Sequence, residues 1–205
     1  MTHTLHRQGT VENLKDDYVV FTMSAKKVNA KGSAVKIKRF FEILEKHNAV
    51  NYGDMKTGNS FNSSRDEIYK NIKDTSIVHF VVTEKREVAA ILNELAEAHL
   101  GTSVVVSGLI DDTEWACKKA GLKMHTVEFS GGIYGRLDTL PEKEVLELTT
   151  MCGHGMVAAN LVRDMVRKIK KGKKSLEDAA QELARPCQCG VFNPKRAEKL
   201  LRKMV

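Results

Sequence analysis

Ser76-Ile77-Val78-His79-Phe80-Val81-Val82 is a mostly apolar run, closed by Thr83 and Glu84. A run of this length, rich in β-branched residues, reads as a buried strand. Directly behind it, Glu84 to Ala98 places Val88, Ile91, Leu92 and Leu95 on one helical face, and Gly101 stops that helix. Thr102 to Val106 repeats the strand signal. Asp111 to Ala120 repeats the helix signal, closed by Gly121, and Met124 to Phe129 reads as a third strand. Strands alternating with helices of this length predict an α/β fold: a mainly parallel sheet of βαβ units, followed by a small all-α module that holds the cysteines. The unbroken Val104-Val105-Val106 suits a sheet covered on both faces.

Upstream, Tyr18 to Met23 is a further buried strand, and Val35, Ile37, Phe40, Phe41 and Leu44 form a helical stripe reaching His47. Residues 48–64 are rich in Asn and Gly and read as a long loop. Ser64, with Glu67 three residues on, predicts a capped helix through Lys73. Lys56-Thr57-Gly58 lacks the order of a phosphate loop, and no G-x-G-x-x-G is present, so nothing points to a dinucleotide site. In a parallel sheet, ligands bind beyond the carboxyl ends of the strands. There Ser130, Gly131 and Gly132, with Arg136 close behind, form the candidate cofactor-binding loop for a small anionic ligand.

The first sixteen residues are polar, without the apolar core of a secretory signal. No apolar run approaches the ~20 residues that cross a bilayer. The expectation is a cytoplasmic protein with no membrane partner. Thiols there stay reduced, and four cysteines read as metal ligands or catalytic groups rather than disulfides.

Three of the four cysteines lie near the carboxyl end. Residues 1–148 are the expected α/β domain, closed by a helix from Pro141 to Leu148. Residues 149–205 are the helical Cys/His module. In it Ala158, Leu161, Val162, Met165, Val166 and Ile169 recur at helical spacing, and Lys168, Lys170 and Lys171 crowd the last turn before Gly172. Ser175 caps a second helix that Pro186 ends, and Asn193-Pro194 opens a third. Cys152 and His154 lie where the first helix starts, and Cys187 and Cys189 just past the second. An antiparallel hairpin turning at Gly172 brings both pairs together, which makes three thiolates and one imidazole available to zinc or an iron–sulfur cluster. The helix start would also lower the pKa of Cys152. Cys117, in the middle of a helix, reads as a core thiol, and His79 and His125 as core histidines.

The module resembles the small [2Fe–2S] helix–turn–helix unit of the bacterioferritin-associated ferredoxins. Cys152-Gly153-His154 stands for the first pair of that unit. Lys171 to Asp178 stands for its turn and cap, and Cys187-Gln188-Cys189-Gly190 for its closing pair. His154 replaces a cysteine, and the closing pair is C-x-C rather than C-x-x-C. The resemblance implies an iron–sulfur cluster, with zinc as the alternative, on Cys152, His154, Cys187 and Cys189. Met151-Cys152-Gly153-His154-Gly155 is also similar to the cysteine loop of proline racemases and related cofactor-free epimerases, which implies Cys152 as the catalytic group of an enzyme.

Charge is unevenly placed. Residues 151–205 hold thirteen Lys/Arg against five Asp/Glu, whereas residues 1–150 hold twenty against twenty-one. The basic module suits an acidic protein partner, a small anionic ligand or, as an alternative function, nucleic acid. The leading expectation is an iron–sulfur or zinc protein with a redox or Lewis-acid role.

Overall fold

The computed structural model describes residues 4–205. In chain order the elements are α1 (Val11–Leu14), β1 (Tyr18–Met23), α2 (Ser33–Leu44), β2 (Asn51–Asp54), β3 (Gly58–Asn59), α3 (Arg65–Lys70), β4 (Val78–Val82), α4 (Lys85–Ala98), β5 (Ser103–Ser107) and α5 (Ile110–Lys119). After a short 3-10 turn at Leu137–Thr139 come α6 (Lys143–Thr149), α7 (Ala159–Lys170), α8 (Leu176–Ala184) and α9 (Pro194–Met204).

The five strands form one sheet in the order β3-β2-β4-β1-β5, and every pairing is antiparallel. This corrects the expected mainly parallel sheet. The correction has a specific cause. β4 and β5 do run in the same direction with α4 crossing between them, as a βαβ unit requires. β1, however, lies between them and is antiparallel to both, with Val20 opposite Phe80 on one side and Val106 on the other. β1 and β2 straddle β4 in the same way, with α2 as the crossover. The result is two interlocked split β-α-β units. Strand–helix–strand spacing fixes the direction of the two strands it joins, but it does not fix what fills the gap between them.

Two further expectations change. Among the described residues, Met124–Phe129 joins no strand and runs irregularly at the surface, with Phe129 76% exposed. The turn-rich stretch read as a loop contains the β2–β3 hairpin, with Gly53 opposite Asn59.

The sheet is buried on both faces, which explains apolar runs that do not alternate. On one face Tyr18, Val20, Phe80 and Val82 pack under α2, α3, α4 and α5. Phe80 stacks on Tyr52 at 5.4 Å and meets Phe41 edge-on at 5.1 Å. On the other face Val19, Phe21 and Val81 share a core with α6 to α9 and with the three late cysteines. The carboxyl-terminal helices are therefore the second covering layer of the sheet. Each fully buried Val or Phe in these layers contributes about 1.5–3 kcal/mol.

Polar anchors hold the layers in place. The α2 N-terminus has no side-chain cap of its own, because Gly32 precedes it. Asp74 serves from a distance, accepting from the Gly32 and Ala34 amides at 2.9 and 2.8 Å. Asp17, at the mouth of β1, is fully buried between Arg7 and Arg196. Asn193, the α9 cap, donates to the Asp17 carboxylate and to the Asp16 carbonyl.

Candidate functional site

Cys152 lies in the turn between α6 and α7, well before α7 begins at Ala159. Cys187 and Cys189 lie in the turn between α8 and α9. The two turns are built alike. In Cys152-Gly153-His154-Gly155 the Gly155 amide donates to the Cys152 carbonyl at 3.0 Å, and Gly155 takes φ +68°. In Cys187-Gln188-Cys189-Gly190 the Gly190 amide donates to the Cys187 carbonyl at 2.9 Å, and Gly190 takes φ +74°. Each turn needs a glycine in fourth place because a side chain there disfavours that backbone conformation.

The turns meet. Cys152 hydrogen-bonds Cys187, Cys187 hydrogen-bonds Cys189, and the Cys189 sulfur lies 3.7 Å from His154 Nδ1. All three sulfurs are buried, whereas Gly153, His154, Gly155 and Met156 are exposed, so the cluster has one solvent side with His154 on it. No disulfide joins the cysteines.

Backbone amides point at the sulfurs. His154 and Met156 donate to Cys152, Phe192 to Cys187, and Val191 to Cys189. The three thiols differ in acidity. The hydrogen bond from Cys152 to Cys187, then burial, raises the Cys152 pKa. Cys187 is pulled down by the bond it accepts from Cys152, but the bond it donates to Cys189, with burial, pushes it up to about 12. Cys189, which accepts from Cys187, falls below the ordinary thiol value. The expected helix-start effect on Cys152 is absent, because the chain makes a separate turn before the helix begins. The proton chain ends on Cys189 instead, and that sulfur is the readiest thiolate.

Three supports, none recognised from the sequence, hold the turns. Arg7 donates from one guanidinium nitrogen to the Met151 carbonyl, at 3.4 Å, and to the Val191 carbonyl. One side chain thus bridges the residue before the first turn and the residue after the second. The Gln8 amide adds a bond to Thr150 Oγ1 at 2.9 Å. The second support is Asn59 of β3, whose amide nitrogen reaches the carbonyls of Ala184, Arg185 and Cys187 at 3.2, 3.1 and 2.9 Å. The third is the β2 backbone, on which Gly190 sits directly. The Asn and Gly content of residues 48–64 was the available signal for the last two. Arg7, in a polar arm, carried none.

Among the described residues, no three His, Cys, Asp or Glu side chains are already gathered in an arrangement that would hold a metal ion. The donor set of three sulfurs and one imidazole nitrogen, with amides aimed at sulfur, is nevertheless one that zinc and iron–sulfur clusters accept.

The other sequence-level candidates lie apart from this cluster. Arg136 is exposed and paired with Asp138, at 2.8 and 3.0 Å. Ser130 Oγ accepts from the Gly132 amide and lies 3.3 Å from His6 Nδ1. Gly131 and Gly132 are exposed. Because the sheet is antiparallel, no single edge gathers the carboxyl ends of the strands around this segment. Cys117 is half-buried on α5, and burial raises its pKa. His79 is fully buried, 5.1 Å from the Phe21 ring. His125 lies in the irregular exposed stretch. Among the described residues, no helix is long and apolar enough to cross a membrane.

No protein-family model, curated protein or solved structure matches the chain.

Proposed function

We propose that this protein binds an iron–sulfur cluster, or alternatively zinc, through Cys152, Cys187, Cys189 and His154, in a reducing compartment such as the cytoplasm. The observation that carries the reading is the meeting of two equivalent turns, C-x-H-G and C-x-C-G, whose four donor side chains form one contact chain. Binding requires those side chains to leave their mutual hydrogen bonds and turn toward a common centre. The amides of His154, Met156, Val191 and Phe192 would then stabilise sulfur in its thiolate form. Cys189, whose pKa is lowered by the bond it accepts from Cys187, would ionise most readily, and His154 would hold the group from the solvent side. A bound cluster would supply one-electron chemistry or a Lewis-acidic metal. The basic surface of α7 and α9 supports an acidic protein partner.

A second reading rests on one observation: Cys187 touches both Cys152 and Cys189, an arrangement that also serves a metal-free thiol pair. The use of Cys152 as the base of an epimerase-like enzyme has less support, since its proton is held by burial and by Cys187. One experiment separates these. Protein purified without oxygen is analysed for iron, acid-labile sulfide and zinc, alongside Cys152→Ser, Cys187→Ser, Cys189→Ser and His154→Ala. Metal at near-stoichiometric level, lost in each cysteine variant and weakened in His154→Ala, supports the proposal. Trace metal, with four thiols titrating in the unfolded protein, sinks it and leaves the thiol reading.

A further inference from the structure

β5 is the outermost strand on its side of the sheet and pairs with β1 alone. Among the described residues, no backbone hydrogen bond joins its other edge to any segment. Free edges are commonly guarded by lysine, proline or a bulge. Ser103-Val104-Val105-Val106-Ser107 has no charge and no proline, and its register against β1 runs without interruption. Ser103 and Val104 are exposed and the remaining three residues are half-buried. The apolar surface continues past the strand. Phe129 and Ile110 are 76% and 44% exposed, and both line a cleft of about 470 Å³ at the Ser107 end.

The five residues of β5 are a palindrome. Laid antiparallel against a second copy about a two-fold axis at Val105, Ser103 falls opposite the second copy's Ser107, Val104 opposite its Val106, and Val105 opposite itself. The faces also agree. Val106 packs with the core beneath α2 and α4, and Val105 with the core beneath α6 to α9. The pleat puts Val104 on the same face as Val106. Each cross-axis pair therefore joins side chains on one face, and no like charges oppose each other.

We propose that two copies of this chain pair β5 to β5, antiparallel and centred on Val105, forming one continuous sheet through both. The pairing is isologous, so it closes on itself as a dimer and leaves no repeating edge. It stands apart from the cysteine turns and does not rest on their metal.

Sedimentation velocity on the full chain with reductant present tests this. A species of twice 22.9 kDa that dissociates on dilution is the expected result. The double variant S103K/S107K puts lysine opposite lysine twice and should weaken association by roughly tenfold or more. S103E/S107K puts opposite charges across the axis and should restore it. Far-ultraviolet circular dichroism checks that each variant is folded. Hydrogen exchange on the unaltered protein gives a second measure, with β5 amides protected at high concentration and exposed at low. A monomer at all concentrations, a dimer indifferent to S103K/S107K, or a dimer with unprotected β5 amides would each overturn the proposal. The last two would mean that a different surface associates. A monomer with protected β5 amides would mean that another segment of the same chain covers the edge, such as the arm whose Thr4 carbonyl accepts from Ser107 Oγ.

Discussion

Gly190 lies against the main chain of Tyr52: a Cβ placed on Gly190 would fall 2.4 Å from the Tyr52 carbonyl carbon. The second cysteine turn is thereby seated on β2 with no side chain between the two backbones. Gly190→Ala should destabilise the protein by more than about 2 kcal/mol, because the clash and the left-handed backbone act together. Urea denaturation monitored by circular dichroism measures the loss. A change below about 0.5 kcal/mol, the ordinary scatter of surface substitutions, would mean that the two backbones part easily.

Arg7 bridges the carbonyls of Met151 and Val191 and pairs with buried Asp17. Its removal leaves two carbonyls and part of a buried carboxylate without a partner. Arg7→Met should cost about 3 kcal/mol. Arg7→Lys keeps the charge but loses the fork, and should recover only part of that. Thermal unfolding of the three proteins, compared side by side, gives the order.

Asn59 serves three carbonyls at the end of α8 and in the Cys187 turn. Asn59→Ala removes one donor from each carbonyl but leaves the Cys187 amide on Ala184, the Asn62 side chain on Arg185 and the Gly190 amide on Cys187, so about 1 kcal/mol should be lost. Amide exchange localised to residues 184–190 should rise more than exchange in β1, which checks that the effect is local.

Asp74 accepts from the Ala34 and Gly32 amides, and these bonds lower its pKa below the ordinary carboxyl value. The sign follows directly. A lowered folded value stabilises the protein above the unfolded value of about 3.9 and is lost as pH falls through the lowered value. Asp74→Ala should therefore melt earlier than the parent protein at pH 7, and the gap should close in acid. A gap independent of pH would assign the effect to packing instead.

Thiol reactivity gives a further check. Cys117 is half-buried and the other three cysteines are buried. A bulky disulfide reagent should modify one thiol quickly in the folded protein and all four after denaturation. Cys117→Ser should abolish the fast phase alone.

Much of the helical layout was legible because it is written locally. Val88, Ile91, Leu92 and Leu95 mark α4, Ser64 caps α3 with Glu67, and Ser175 and Asn193-Pro194 open α8 and α9 where the caps said they would. Strand pairing is a long-range choice. Val78–Val82 lies beside β1, sixty residues back in sequence, and no local signal says so. The apolar runs reported burial on both faces, which parallel and antiparallel sheets share when helices cover both sides. The meeting of Cys152, His154, Cys187 and Cys189 was legible from their spacing and from the helix caps. The distant groups that position them, Arg7 and Asn59, were not, since a polar side chain in a loop looks the same whether it faces water or a carbonyl.

The clamp made by Arg7 has a consequence for biosynthesis. It joins a residue ahead of β1 to the carbonyl of Val191, so the chain must be made through Val191 before the two turns can be locked together. Cys152 emerges long before its partners and waits as a lone thiol in an unfinished layer. Closure of the cysteine cluster therefore comes late, after the strands of the sheet have been made.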